Sequence, residues 1–129
     1  MSDSMRPGAI VWTDLTVPDA TTIRDFYAAV TGWRPEPVSM GEYADFNMMA
    51  PGNEGPAAGI CHARGPNAGL PSQWLIYVTV EDVEESIAEC QRRGGRVVDG
   101  PRPIGGKPFC VIEDPAGAVA ALIQVEKQP

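Results

Sequence analysis

The stretch DLTVPDATTIRDFYAAVTGW, Asp14 to Trp33, decides the fold because its corner, TVPD at Thr16 to Asp19, returns 63 residues later as TVED at Thr79 to Asp82. Ile10 to Val17 is apolar and β-favouring with a single Asp among it, which reads as a strand. Pro18 has no N–H to give a ladder and ends that strand. Asp19 then supplies a helix cap. Ile23, Phe26, Tyr27 and Val30 recur at i, i+3, i+4 and i+7, one buried helical stripe that stops at Gly32. The same sequence of events follows the second corner. Trp74 to Val80 is a β-rich run, Asp82 with Glu85 makes a capping box, Val83, Ile87 and Cys90 form the stripe, and Gly94-Gly95 ends it. Asp19 to Gly32 and Asp82 to Gly95 are both 13 residues apart.

Strand-like pieces separated by turns follow each helix. In the first half they lie around Pro37–Met40, Tyr43–Met49 and Ala57–His62, and in the second around Arg96–Val98, Pro108–Ile112 and Ala118–Val125. Each half is therefore βαβββ, with module 1 at about 8–63, a Gly/Pro-rich linker at about 64–73 and module 2 at about 74–127 of a single domain, 1–129. Carried beyond the helices, the offset of 63 pairs Thr16 with Thr79, Val17 with Val80, Phe46 with Phe109 and Ala58 with Ala121.

A chain of 129 residues fits one ordinary domain and can bury a sizeable core. Its 43% hydrophobic and 21% charged residues are those of a soluble globular protein, and no apolar run approaches the roughly 20 residues of a membrane span. MSDSMRPGAI has neither a basic start nor an apolar signal core, so a cytoplasmic location is expected. Three widely spaced cysteines, Cys61, Cys90 and Cys110, suit reduced thiols better than a disulfide framework. A formal charge of −7 without any Lys/Arg cluster repels phosphate backbones, so nucleic acid is not an expected partner.

Two βαβββ halves, a first helix of the form PD…RDFYAAVTGW and a closing hairpin FCVIEDPAG at Phe109 to Gly117 together resemble the vicinal oxygen chelate superfamily. That superfamily includes glyoxalase I, extradiol dioxygenases, fosfomycin-resistance transferases and bleomycin-binding proteins. The resemblance implies an α+β fold in which two βαβββ modules pair into an incompletely closed β-barrel, the glyoxalase/bleomycin resistance/dihydroxybiphenyl dioxygenase fold. It does not choose among the chemistries that this fold hosts.

Metal-using relatives place His, Gln or Glu on the first and last strand of each half. The matching positions here are Trp12, Leu75, Ala121 and, by the offset of 63, Ala58. None of these side chains carries a lone pair for a cation, so neither a metal nor another cofactor is expected. Strand parity points Trp12, Asp14, Leu75, Tyr77 and Ala121 inward. A four-residue DPAG turn would oppose Cys110 to Ala121 on the same face. Asp14 reads either as a pocket acid or as a solvated strand-end residue. Cys110 reads as a small buried hydrophobe or a nucleophile, and Cys90 as core. His62 reads as a surface or rim histidine, although parity counted from Ala58 turns it inward. The loop Pro101 to Pro108 reads as a lid, too rich in Pro for a phosphate cradle.

Two functions remain. One is a binding module, as in the bleomycin-binding branch, holding a small, largely apolar or aromatic molecule on Trp12, Asn47, Ala58, Leu75 and Ala121. The other is a metal-independent lyase, isomerase or cyclase with Asp14 as general base and Tyr77 or Cys110 assisting. In both the chain is expected to be a homodimer, since a single βαβββ half cannot bury both faces of its sheet.

Overall fold

The computed structural model describes residues 6–52 and 55–125. Eight strands and two helices follow one another as β1 (Ile10–Val17), α1 (Ala20–Thr31), β2 (Arg34–Ser39), β3 (Ala44–Met49), β4 (Pro56–His62), β5 (Trp74–Val80), α2 (Val83–Arg92), β6 (Arg96–Ile104), β7 (Lys107–Glu113) and β8 (Val119–Gln124). This is the expected βαβββ pattern, twice. The chain divides into two compact units: an N-terminal unit, Thr13–Trp74, and a C-terminal unit of Leu75 onward together with the chain up to Trp12.

In the N-terminal unit the strand order is β2-β3-β4-β1, antiparallel except for the β1/β4 ladder. Asp19 caps α1 by accepting the Thr22 N–H at 3.3 Å, and Gly32 closes the helix at φ 80°, a conformation glycine adopts without strain. Leu15 and Val17 of β1, Phe46 and Met48 of β3 and Ile60 of β4 pack with Ala20 of α1, and Ile23, Tyr27, Trp33 and Trp74 close over them. The helical stripe is therefore Ala20, Ile23 and Tyr27. Phe26 and Val30, expected within it, are 55% and 65% exposed. The reason is angular: Tyr27 turns onto Trp74, whose indole N–H donates to the Tyr27 hydroxyl at 3.1 Å, and this rotates the neighbouring Phe26 outward.

The C-terminal unit repeats the arrangement with the order β5-β8-β7-β6, in which β5/β8 is parallel and the other ladders are antiparallel. Neither four-stranded set closes on itself. Asp82 caps α2 by accepting the Glu85 N–H at 3.2 Å. Val83 of α2 packs with Cys110 and Leu122, and Val78, Val80, Ile87 and Ile112 line the edges of that core. The N-terminal arm joins this unit: Gly8 and Ala9 exchange main-chain hydrogen bonds with Thr79, and the Ala9 N–H also donates to the Thr79 hydroxyl at 3.0 Å.

The segment expected to be a lid is strand instead. β6 continues to Ile104, which pairs with Lys107 across a two-residue turn. Gly105 and Gly106 have φ of 57° and 81°, the left-handed pair that a tight hairpin turn requires. Gly-Gly between two extended segments was the signal for this hairpin, and the neighbouring prolines masked it.

Candidate functional site

Each sheet has one face under its helix and one face free of it, and the ladders assign every strand residue to one or the other, because partners in register point the same way and neighbours alternate. In the N-terminal unit Leu15, Ile60, Phe46 and Met48 lie under α1. The helix-free face therefore carries Asp14, Gly59, Asn47 and Glu36 in one row across β1, β4, β3 and β2, through the pairs Asp14 with Gly59, Asn47 with Gly59 and Glu36 with Asn47. On the same face by alternation, Thr16 pairs with Cys61 and Asp45 with Val38. Asp14 and Asn47 are half-buried, and a glycine without a side chain separates them.

Ala58 is not in that row. It pairs with Met48 and shares the α1 face with Ile60, so it is core, not a lining residue. The counterpart of Ala121 is Gly59: Asp14 pairs with Gly59 as Tyr77 pairs with Ala121. The repeat offset is thus 63 at the first strands and 62 at the last, and one residue of slip reverses the face of a side chain.

The same correction applies to Cys110. Val111, not Cys110, opposes Ala121, and Cys110 opposes Leu122 in the α2 core, fully buried. The β7–β8 turn holds five residues, Asp114 to Ala118, between the paired Glu113 and Val119, one more than expected. Its Asp114 carboxylate accepts the N–H groups of Ala116 at 2.8 Å and Ala118 at 3.1 Å, which accommodates the extra residue. Burial pushes the Cys110 thiol up to about 11, helped by the charges of its neighbours, so the sulfur is no nucleophile near neutral pH.

In the C-terminal unit the helix-free rows are Tyr77, Ala121, Val111, Asp99 and Thr79, Ile123, Phe109, Arg102. Leu75 shares the face of Tyr77 by alternation along β5. Phe109 stacks on Tyr77 with ring centroids 5.6 Å apart, and the Arg102 guanidinium lies 5.1 Å from the other side chain's ring, that of Phe109. Asp99 holds Arg102 in place through two hydrogen bonds to one carboxylate oxygen, at 2.7 and 2.9 Å. Leu75, Tyr77, Phe109, Val111 and Ala121 are all buried, whereas Trp12 is half-buried. Of the residues the sequence singled out, this unit brings Leu75, Tyr77 and Ala121 to one face, and the N-terminal unit brings Asp14 and Asn47 to another.

Sequence reasoning missed two groups. Asp45 is buried, and one carboxylate oxygen accepts the His62 main-chain N–H at 2.8 Å and lies 3.2 Å from the His62 Nδ1. His62 is consequently no surface histidine: its ring packs edge-on against Tyr43 at 5.3 Å and beside Phe46. Beside it, the Cys61 thiol is held far above its ordinary range, first by burial and then by the charges of Asp14 and Asp45. The Asp in the run ADFNMM was the available signal, since a carboxylate in a buried strand needs partners. Arg102 is the second group, hidden within the supposed lid.

At pH 8 a thiol titrating near 11 is ionised to roughly one part in a thousand. A thiol-specific disulfide reagent should therefore leave Cys110, and likewise Cys61, unmodified in the folded protein and label both on unfolding. Mass mapping of rapid native labelling to either residue would contradict this.

Among the described residues no group of three or more His, Cys, Asp or Glu side chains is placed to hold a metal ion. The positions at which the resemblance places metal ligands carry Trp12, Leu75, Ala121 and, with the corrected register, Gly59, none of whose side chains can donate a lone pair. These residues do not fit a metal. A separate surface groove of about 460 Å³ opens beside α2, with Glu81, Asp82, Glu85 and Glu89 among its walls; it reaches Thr79 and Leu122 but not Asp14, Asn47, Tyr77 or Ala121.

A family model described as the Glyoxalase/Bleomycin resistance protein/Dioxygenase superfamily matches residues 9–122. The chain is 26% identical over 123 residues to a protein of Mycobacterium tuberculosis that bears the name "Putative glyoxylase CFP32", and 29% identical over 128 residues to the anthracycline biosynthesis protein DnrV of Streptomyces peucetius. These alignments cover 94% and 90% of the chain but 46% of each relative, so the chain spans about half the length of the curated relatives it matches. Among solved structures it resembles the hypothetical protein BH1468 of Bacillus halodurans (12% identity, TM-score 0.56, 96% of this chain and 99% of that one). It also resembles methylmalonyl-CoA epimerase of M. tuberculosis (17% identity, TM-score 0.51, 98% and 93%). At such identities the likeness is one of fold. The chain belongs to the Glyoxalase/Bleomycin resistance protein/Dioxygenase superfamily.

Proposed function

We propose that this member of the superfamily binds a small, largely apolar or aromatic molecule without a metal, and does so as a homodimer in the cytoplasm. The observation that carries the reading is the row Asp14, Gly59, Asn47. Two half-buried polar side chains stand on either side of Gly59, whose own backbone is buried, so each can offer its exposed part to a polar group of a ligand. Trp12 precedes Asp14 on the same face of β1 and offers an indole for stacking, favourable by roughly 1 kcal/mol beyond area burial. The aromatic preference agrees with a relative named for anthracycline biosynthesis, since an anthracycline is a fused-ring aromatic. Leu75, Tyr77 and Ala121 lie on the helix-free face of the C-terminal unit, and Ala58 and Cys110 have no part in the binding face.

A thermal-shift screen of aromatic compounds, run with and without divalent metals, tests the reading. A true ligand at 100 times its Kd stabilises the folded state by about 2.7 kcal/mol. Metals are expected to add nothing, Trp12→Ala to weaken binding about tenfold or more with a modest change in melting point, and light scattering to give twice the chain mass. If no compound shifts the melting point and Trp12→Ala unfolds the protein, Trp12 is core and the reading fails.

A second reading, proton transfer by Asp14 in a metal-independent lyase, isomerase or cyclase, draws on the same row, because the Asn47 carboxamide can hold a carbonyl beside the carboxylate. Asp14→Asn separates the two: turnover lost with binding kept favours the enzyme.

A further inference from the structure

We propose, resting on the homodimer reading above, that two copies of this chain pair through α2, laid antiparallel across a two-fold axis, with the basic end of each helix seated in the acidic groove beside the other. The outward face of α2 sets the pattern. Val83 and Ile87 turn to the sheet, so helical spacing puts Glu85, Ala88, Glu89 and Arg92 on the opposite side, and all four are exposed. That face is acidic at its first end and basic at its last. Glu81 and Asp82 stand at the corner before the helix and Glu85 in its first turn, while Arg92 and Arg93 stand at the far end, followed by Arg96. With a two-fold axis between Ala88 and Glu89, Glu85 of one copy faces Arg92 of the second and Arg92 faces Glu85, the reciprocity that an isologous contact demands. Ala88 stands at the crossing, where its methyl group lets the helices approach closely. The helix dipole by itself favours this order of charges, but α1 of the same chain has no acid in its first turn and no base in its last. The charges at α2 also run past the helix, to Glu81 and Arg96.

The groove supplies the room. It measures about 460 Å³, lies between α2 and the chain at Pro7 and Gly8, and is lined by Val78, Val80 and Leu122 of the sheet along with the acids. No Lys or Arg lines it, and among the described residues Glu81 and Glu85 have no cationic partner. An Arg side chain suits such a groove, because its methylene stem lies along apolar surface while the guanidinium reaches a carboxylate. The side chains of Arg92 and Arg93 are 64% and 79% exposed and pair with Glu89 of their own helix, contacts of a kind that contribute little on a surface. A guanidinium has donors enough to keep Glu89 and serve a second carboxylate. Since the chain carries a net charge of −7, two copies repel in most orientations, and this one sets their opposite charges together.

Two reciprocal variants of the full chain test the contact by analytical ultracentrifugation. Glu81→Lys with Glu85→Lys makes the α2 surface basic at both ends, and Arg92→Glu with Arg93→Glu makes it acidic at both. Each variant alone is expected to weaken self-association about a hundredfold, since like charges then meet twice in one contact. The first result is the sharper, because its lysines bring the net charge nearer to zero and so lower the repulsion between copies at a distance. Mixed in equal amounts, the two variants are expected to pair with about the affinity of the unmodified chain, because each end again meets its opposite. A dimer unaffected by either variant would overturn the α2 contact and leave the homodimer reading standing. Variants that dissociate singly and fail to pair when mixed would overturn the antiparallel arrangement. An unmodified chain that sediments as a monomer would overturn both the contact and the homodimer reading. Circular dichroism checks that each variant folds. Should one not fold, Glu85→Gln and Arg92→Gln replace the reversals and are each expected to weaken the dimer about threefold or more, with no change counting against the contact.

Discussion

Phe109→Ala is expected to destabilise the protein by about 3–5 kcal/mol, the range for truncating a fully buried aromatic ring. Phe109 has no exposed surface, stacks on Tyr77 and lies against the Arg102 guanidinium, 5.1 Å from its ring. Its removal leaves a ring-sized void in a fully buried position, so the cavity contribution is large wherever the neighbours cannot collapse into it. Arg102 stays tied to Asp99, which keeps the guanidinium from swinging in to fill the space. For a domain of this size the loss corresponds to a fall in Tm of order 10–20 °C. Urea unfolding followed by circular dichroism measures it. A loss under 1 kcal/mol would mean that the stack contributes little and that the helix-free face of the C-terminal unit is not a core. Tyr77→Phe provides the contrast, since it keeps the ring and is expected to cost far less.

Gly95→Ala should destabilise by about 2–3 kcal/mol, toward the upper end of overpacking effects. The cause is steric, not conformational. A Cβ on Gly95 would stand 2.6 Å from the Cys90 sulfur and 2.8 Å from the main-chain oxygen of Glu113. Cys90 can rotate away, but the Glu113 carbonyl belongs to the β6/β7 hairpin, in which Arg96 pairs with Glu113, so β6 itself must shift. Gly94→Ala meets open space apart from Pro115 and is disfavoured only by its φ of 94°. Measured by thermal unfolding, the order Gly95→Ala worse than Gly94→Ala supports the close approach of α2's end to β7. The reverse order would make backbone strain the dominant effect.

The two helices were legible because each is set by groups within a few residues: Asp19 and Asp82 cap their own first turns, and Gly32 supplies the left-handed stop at its own helix end. β1 and β5 were legible because β-favouring residues run up to a corner, with only Asp14 among them, and the doubled corner was enough to give the βαβββ repeat. The absence of lone pairs at Trp12, Leu75 and Ala121 also survives the structure unchanged, since it depends only on residue type.

What the chain did not disclose locally was the side of the sheet on which a residue lies. Ala58 and Cys110 were placed on the wrong face by a single residue each, the first by assuming one offset throughout the repeat and the second by assuming a four-residue turn in place of the five between Glu113 and Val119. Phe46 and Phe109 match in sequence, yet Phe46 packs under α1 and Phe109 on the face away from α2. Strand identity follows from composition, which is local and tolerant of error. Facing has a period of two, so its sign is set by the ladders, through hydrogen bonds between residues such as Asp14 and Gly59 that are distant in sequence, and one inserted residue reverses it. Asp45 with His62, and Asp99 with Arg102 over Phe109, became visible only once β3 met β4 and β6 met β7, because a charge pair in a sheet exists only after the register has been chosen.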